Sequence, residues 1–282
     1  LMSEDYSNFQ EFSAFEKITI LDMIEELPEG MHSQTNLKYI VRRIAGQVNP
    51  KYPLAAAIAW TGLKTIEFMS GAFEGNDYFS PGSGNDTVDG GEGWDHVDLW
   101  EDPNDLPNLG GYGVFVDLKN EIATDSWGFA DLLKGIESVN GSIYADEFLG
   151  DEFRNWFGGR AGDDLFYGMG GDDSMEGDDG NDIMFGGLGN DWFRGGSGND
   201  EMYGADGWDW IDYWGEIGNS SEWGKRGVFV DLAKNTAIDN WGYVDTFSEI
   251  EGVNGSNFAD VILGDEKRNQ FSGQKGDDRL EG

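Results

Sequence analysis

Asp164, Asp173, Asp182, Asp191, Asp200 and Asp209 stand nine residues apart. Each follows a glycine by two positions: Gly162, Gly171, Gly180, Gly189, Gly198 and Gly207. Further glycines, Gly159, Gly168, Gly177, Gly186 and Gly195, precede the first five aspartates by five positions. Two positions after each aspartate comes a bulky apolar residue: Phe166, Met175, Met184, Phe193, Met202 and Ile211. Shorter runs keep the same spacing. Asp77, Asp86 and Asp95 lie upstream, followed by Phe79, Val88 and Val97; Asp146 and Asn155 lead into the main block; Asp260, Asn269 and Asp278 come last.

Within 159–212 only Arg160 and Arg194 are basic. Carboxylates stacked in register repel by about 1 kcal/mol at 4 Å in water and several times more in a lower-dielectric groove. A cation must therefore come from outside. A hard dication taking six to eight oxygens suits two carboxylates beside glycine-rich turn carbonyls, which points to calcium. Magnesium holds its waters and demands stricter octahedral geometry, so it fits less well. Zinc would want His or Cys, and the chain has two histidines and no cysteine. Aspartate beside glycine is also an ordinary turn signal. Six copies in strict register go beyond what turn formation requires.

The elements that must hold these residues follow from the period. A single inward apolar residue per nine implies a very short strand followed by a long turn. Two repeats make one coil, and parallel strands of successive coils stack about 4.8 Å apart. Glycines let the turns take positive φ. The expected fold is mainly β, a right-handed parallel β-roll (β-helix) solenoid. A longer repeat encloses the short one: GVFVDL begins at Gly113 and again at Gly227, 114 positions on. The same offset relates Trp94 to Trp208, Trp127 to Trp241 and Asp164 to Asp278. Duplication of this kind favours a stack of like units. It divides the chain into a first module at 67–168 and a second at 169–282. Residues 1–66 lack the repeat and are expected to form a small helical N-terminal cap. Its helices are placed at Ile18–Leu27, Leu37–Val48 and Leu54–Met69, with Pro28 and Asn49-Pro50 as stops.

Composition narrows the partners. Acidic residues number 55 against 18 basic ones, a formal charge of −37, which excludes nucleic acid and other polyanions and favours cations. The 44 glycines are about twice the usual share of about 7%, yet 11 Trp, 18 Phe and 10 Tyr are too many aromatics for a disordered chain. The absence of cysteine excludes disulfides; a secreted protein without them needs another staple, and a metal is the obvious one. No secretory leader and no membrane span are read; Leu54–Met69 is interrupted by Lys64 and Glu67.

The run GGLGNDWFRGGSGND, 186–200, resembles the haemolysin-type calcium-binding nonapeptide GGxGxDxUx of the RTX family. The flanking GVFVDL…ATD…GIESVNGS stretch is similar to RTX regions of secreted proteases and epimerases. The resemblance implies several Ca²⁺ ions, each between repeats n and n+2, held by two Asp carboxylates and glycine-loop carbonyls. It implies the pairs Asp164/Asp182, Asp182/Asp200, Asp173/Asp191, Asp191/Asp209, Asp77/Asp95 and Asp260/Asp278, with Asp146/Asp164 as a further pair. Asp86 and the loop glycines Gly159, Gly168, Gly171, Gly177, Gly180, Gly186, Gly189, Gly195 and Gly198 belong to the same metal set. Asn155 and Asn269 depart from the pattern, and sites using them should be weak or empty. It also implies a secreted, extracellular bacterial protein exported by type I secretion.

Nothing in the sequence makes an enzyme. HExxH, GxSxG and Walker A patterns are absent, and Asp102-Pro103 reads as a loop rather than a self-cleavage site. The expected function is a calcium-binding module that folds on extracellular calcium and serves a structural or adhesive role. The alternative is the calcium-dependent folding and secretion module of a larger enzyme. Trp100, Tyr112, Trp127, Trp214, Trp223 and Trp241 fall in the inserts between repeat blocks. They could meet a glycan or protein partner, or simply pack longer turns against the stack.

Overall fold

A computed structural model describes residues 75–99, 111–214 and 226–282, together with the backbone of Leu37–Ile40 and Ile58–Trp60. Almost all regular structure in these residues is β. From Tyr78 onward the strands fall into one sheet of 13 and one of 9.

The nine-residue period places successive strands on alternate sheets. Leu165–Gly170, Ile183–Leu188 and Glu201–Asp206 pair in parallel in the first sheet. Ser174–Asp179, Trp192–Ser197 and Trp210–Asp212 pair in parallel in the second. Register is strict: Phe166 faces Met184 and Met184 faces Met202, while Met175 faces Phe193 and Phe193 faces Ile211. Each of these side chains is at most 1% exposed. They line a core between the two sheets, extended by Phe79, Val97, Val139 and Phe157 on one side and Val88, Phe148 and Ile262 on the other. Burying each contributes roughly 1.5–3 kcal/mol, which is what fixes a register that a one-residue slip would invert.

The strands of the main block run six residues, longer than the very short strands expected. Pairing resumes beyond a kink: Met169 faces Gly187 and Gly170 faces Leu188. The kink residue has positive φ whether or not it is glycine, as at Met169 (72°), Asp178 (70°) and Ala205 (72°). The loop is therefore itself stacked on its neighbours. Strain at a non-glycine αL position persists only where surrounding contacts over-determine it.

The inserts sit in the first sheet only. Phe115–Asp117, Ile122–Thr124 and Ala130–Lys134 form an antiparallel meander. Its first strand pairs in parallel with Glu147–Leu149 and its last with Thr87–Asp89. On the other face His96–Asp98 pairs directly with Ser138–Asn140. The second copy, Phe229–Asp231, Thr236–Ile238 and Val244–Ser248, repeats this arrangement. Each insert thus gives the first sheet three strands where one regular coil gives one, and this accounts for the inequality of the sheets.

The helical cap needs correction. Leu37–Ile40 and Ile58–Trp60, both inside expected helices, are strands paired antiparallel. The short runs LKYI and IAW carry β-branched and aromatic residues that suit strands as well as a helix face, and pairing across the intervening segment decides between them. The helix expected at Ile18–Leu27 lies outside the described residues.

Candidate metal centre

The aspartates form two columns, one along each sheet, because residues eighteen apart lie on adjacent rungs. In the first column the amide of Asp146 donates to Oδ1 of Asp164 (2.7 Å), that of Asp164 to Asp182 (2.8 Å), and that of Asp182 to Asp200 (2.9 Å). In the second, Asp173 donates to Asp191 and Asp191 to Asp209, both at 2.8 Å. Asp77 donates to Asp95 at 2.7 Å and Asp260 to Asp278 at 3.0 Å. Each pair that the resemblance implies is brought together in this way.

One oxygen of each carboxylate is used by this ladder; the other is not. Oδ2 of Asp95, Asp164, Asp173, Asp182, Asp191, Asp200 and Asp209 is buried without a hydrogen-bond partner. A buried polar atom left this way costs about 1–3 kcal/mol, and more when it is charged. The glycine five positions earlier makes room for it. A Cβ on Gly159, Gly168, Gly177, Gly186 or Gly195 would overlap Oδ2 of Asp164, Asp173, Asp182, Asp191 or Asp200 respectively. The glycine two positions before each aspartate closes the stack from the other side. Gly180 has φ 155° and Gly189 φ 127°, and a Cβ on either would meet the carbonyl oxygen of Gly162 or Gly171.

Burial without compensation shows in the acidities. Desolvation raises Asp173 and Asp182 to about 8, and Asp164, Asp200 and Asp209 to about 7. Neighbouring carboxylates push the same way, while the amide donated to Oδ1 opposes both. Two arginines offer local relief: Arg160 reaches Asp98 at 2.9 Å, and Arg194 bridges Glu176 at 2.7 Å and Asp212 at 2.5 Å. The partners of Arg194 both lie outside the columns.

The fit to calcium follows from the donors. Hard oxygens, buried and unpartnered, face glycine-built loops whose carbonyls are stacked in register. Among the described residues no three acidic or histidine side chains converge as a metal shell. A six-to-eight-oxygen ion at these loops would take most of its ligands from backbone carbonyls.

Several column members lack the full motif. Asp86 donates its amide to Asp131 Oδ1 (2.8 Å) and Asp200 to Asp245 Oδ1 (3.2 Å), each across an insert. Glu137 and Glu251 accept from the amides of Asp95 and Asp209 (2.8 and 3.1 Å). Asp131, Asp245, Glu137 and Glu251 sit two residues before a core apolar residue, Leu133, Phe247, Val139 and Val253 respectively, the one part of the repeat signal they keep. Asn155 keeps its place: its amide donates to Asp173 at 2.7 Å, and its Oδ1 accepts from Asp151 at 3.0 Å. Asp146 and Asp260 stand apart. Ser142 donates both amide and hydroxyl to Asp146, and Ser256 does the same to Asp260. The amides of Val114 and Val228 add a further donor to each. Their carboxylates are satisfied by protein alone.

The periodic loops match a family model, the RTX calcium-binding nonapeptide repeat, over residues 72–106, 149–184, 158–193, 185–216 and 254–282. The chain carries RTX calcium-binding repeats. No individual curated protein matches it. The RTX matches cover the nonapeptide aspartates other than Asp146, and the segments 107–148 and 217–253, which contain the meanders, fall outside them. The RTX loops supply a calcium-binding structural module on a β-rich framework. No helix among the described residues is long and apolar enough to cross a membrane.

Proposed function

We propose that the chain is a calcium-folded RTX module of a secreted or cell-surface bacterial protein, built as a right-handed β-roll of two related halves. Its role is structural or adhesive and not catalytic. The observation that carries this reading is the set of buried, unpartnered Oδ2 atoms repeated down both columns.

The ligand pairs are Asp164/Asp182, Asp182/Asp200, Asp173/Asp191, Asp191/Asp209 and Asp77/Asp95, with carbonyls of the intervening glycine loops. Bound calcium supplies the positive charge the columns lack. The chain's own residues do the rest. The Asp amide ladder fixes each carboxylate, Gly159, Gly168, Gly177, Gly186 and Gly195 leave the ligand-facing oxygen open, and Phe166 through Ile211 hold the rungs in register. In a low-calcium compartment the columns repel and oppose folding. At millimolar external calcium, binding to the folded state alone shifts the equilibrium by mass action. Such a chain suits export unfolded, as in type I secretion. Tyr112 (67% exposed) and Trp214 (50%) present insert aromatics for a glycan or protein partner.

The test is a calcium titration of chelator-stripped protein followed by far-UV circular dichroism, with terbium emission sensitised by Trp94, Trp192 and Trp208 beside column aspartates. A cooperative gain of β signal near millimolar calcium supports the reading. A spectrum already β-rich and indifferent to calcium rejects it.

A further inference from the structure

A row of side chains runs down the outer face of the second sheet, one per rung. Strand pairing sets His96, Ser138, Trp156, Ser174, Trp192 and Trp210 next to one another in that order. Each comes one position before a core residue and so points away from the core. Where adjacent rungs both carry rings, the rings stack. Trp192 and Trp210 have centroids 5.6 Å apart with planes 17° from parallel, and Tyr78 lies 4.7 Å from His96. On the first sheet Tyr167, Phe185 and Tyr203 keep spacings of 5.0 and 4.8 Å. One rung is therefore the width of one stacked ring.

Two serines interrupt the row, and only one of the gaps is closed. At Ser138 the His96 ring fills it: Nδ1 lies 2.6 Å from the serine hydroxyl, the His96 centroid is 5.9 Å from that of Trp156, and Ser138 is 3% exposed. The small residue after Trp210 is covered too, since a Cβ on Gly252 would strike the Trp210 indole. Ser174, by contrast, stays partly exposed between two partly exposed indoles, Trp156 and Trp192. Trp192 has Trp210 on one face, and on the other the adjoining rung offers only a hydroxymethyl group. The Trp156 indole runs along its own strand, with Cη2 over Gly158, and walls the other side.

The two walls stand two rungs apart, roughly 10 Å by strand spacing. A cation midway would lie about 5 Å from each ring, within the ~6 Å reach of cation–π attraction, for which Trp is the best side chain. The charge agrees. On this face Asp98, Glu176, Asp178 and Asp212 outnumber Arg160 and Arg194, and Glu176 and Asp178 follow Ser174 on its own strand. A quaternary ammonium suits such walls because it has no N–H to satisfy and buries its methyl groups against the rings. The same acids disfavour a ligand that brings its own carboxylate or phosphate.

We infer that the Ser174 rung is a binding slot for a small quaternary ammonium cation of the choline type, with Trp156 and Trp192 as walls and Glu176 and Asp178 as counter-charge. The slot uses none of the calcium ligands. It exists only in the folded roll, because Trp156, Ser174 and Trp192 meet through strand register alone.

The experiment is isothermal titration of the full chain with choline in calcium, after circular dichroism has shown it to be folded. Choline should bind at least tenfold more tightly than 3,3-dimethylbutan-1-ol, its neutral carbon isostere, and at least tenfold more tightly than phosphocholine or glycine betaine. Trp192→Ala and Trp156→Ala should each lose at least tenfold. Ser174→Phe supplies the missing ring of the stack, so it should fold as wild type and lose choline binding altogether. Trp214→Ala, in the second insert, should leave binding unchanged. A folded wild-type chain that gives no binding heat with choline overturns the slot, as does undiminished binding by Ser174→Phe. Equal binding of the neutral isostere overturns the cation assignment, and tighter binding of phosphocholine or betaine overturns the choice of a simple cation. Loss of binding in Trp214→Ala puts the ligand on the insert aromatics instead and also overturns the slot. A chain that gains no β signal in calcium rejects the proposed calcium folding, so the two failures are distinguishable.

Discussion

The amide of Asp164 donates to Oδ1 of Asp182, eighteen residues on, at 2.8 Å, while Oδ2 of the same Asp182 is buried with no partner. One carboxylate therefore does two jobs. One oxygen locks adjacent rungs together whatever the solution contains. The other is costly in the empty fold and becomes useful only when a cation arrives.

That division predicts an asymmetric effect of Asp182→Asn. The amide oxygen still accepts from Asp164, so the ladder survives, and a buried carboxyl whose ionisation opposes the metal-free fold is gone. Without calcium the variant should be no less stable than wild type. With calcium its folding midpoint should move to about tenfold higher concentration, since each tenfold loss of affinity removes about 1.4 kcal/mol. Paired chelator and calcium melts check this.

Acidity gives a second prediction. In the metal-free fold Asp173 and Asp182 lie at about 8 and Asp164, Asp200 and Asp209 at about 7, against about 3.9 unfolded. Between these values the folded chain binds more protons than the unfolded chain, so stability falls as pH rises. Chelator-treated protein should be most stable near pH 4 and lose stability progressively to about pH 8. Calcium should reverse the slope, because protons then compete with the ion. Denaturant melts across this range, with and without calcium, read both slopes.

The glycines separate into two kinds of demand. At Gly180, φ is 155° and an added Cβ would strike the Gly162 carbonyl. Gly180→Ala should cost about 1–3 kcal/mol from backbone strain alone, with the clash added, and should do so with or without calcium. Gly170, also in the main block, has only ordinary contacts around its Cβ position, the nearest Leu188 Cβ at 3.8 Å. Gly170→Ala should be neutral or stabilising by up to about 1 kcal/mol, through reduced freedom of the unfolded chain. Thermal melts of the two variants test the contrast.

The repeat was legible because its signal is redundant: aspartate, two glycine positions and an apolar residue recur together, and each copy constrains the next. Asp131, Asp245, Glu137 and Glu251 keep only the acid and the apolar residue. A two-residue signal is common by chance, and their partners lie 42 to 45 residues away, beyond any local period. The six-residue strands were missed because Met169, Asp178 and Ala205 take a left-handed kink that side-chain type does not announce. At Leu37–Ile40 and Ile58–Trp60 the apolar spacing fits either a helix face or a short strand, and pairing with each other decides between them.

Arg194 supplies the last prediction. Its guanidinium lies between Glu176 on the rung before and Asp212 on the rung after, at 2.7 and 2.5 Å. The Asp212 side chain is 3% exposed, whereas Arg194 and Glu176 keep roughly a quarter of their surface in water. A fully buried pair broken at one end costs about 3–5 kcal/mol; partial solvation here reduces that to about 1–2. Arg194→Met keeps the aliphatic packing and strands two carboxylates on adjacent rungs. Arg194→Lys keeps the charge but cannot span both partners as a planar fork does, so it should recover only part of the loss. The deficit should be similar in chelator and in calcium, because this cation is built into the chain, whereas the Asp182→Asn deficit should appear only in calcium. Melts of the three variants in both conditions would separate the permanent cross-brace from the one that depends on the ion.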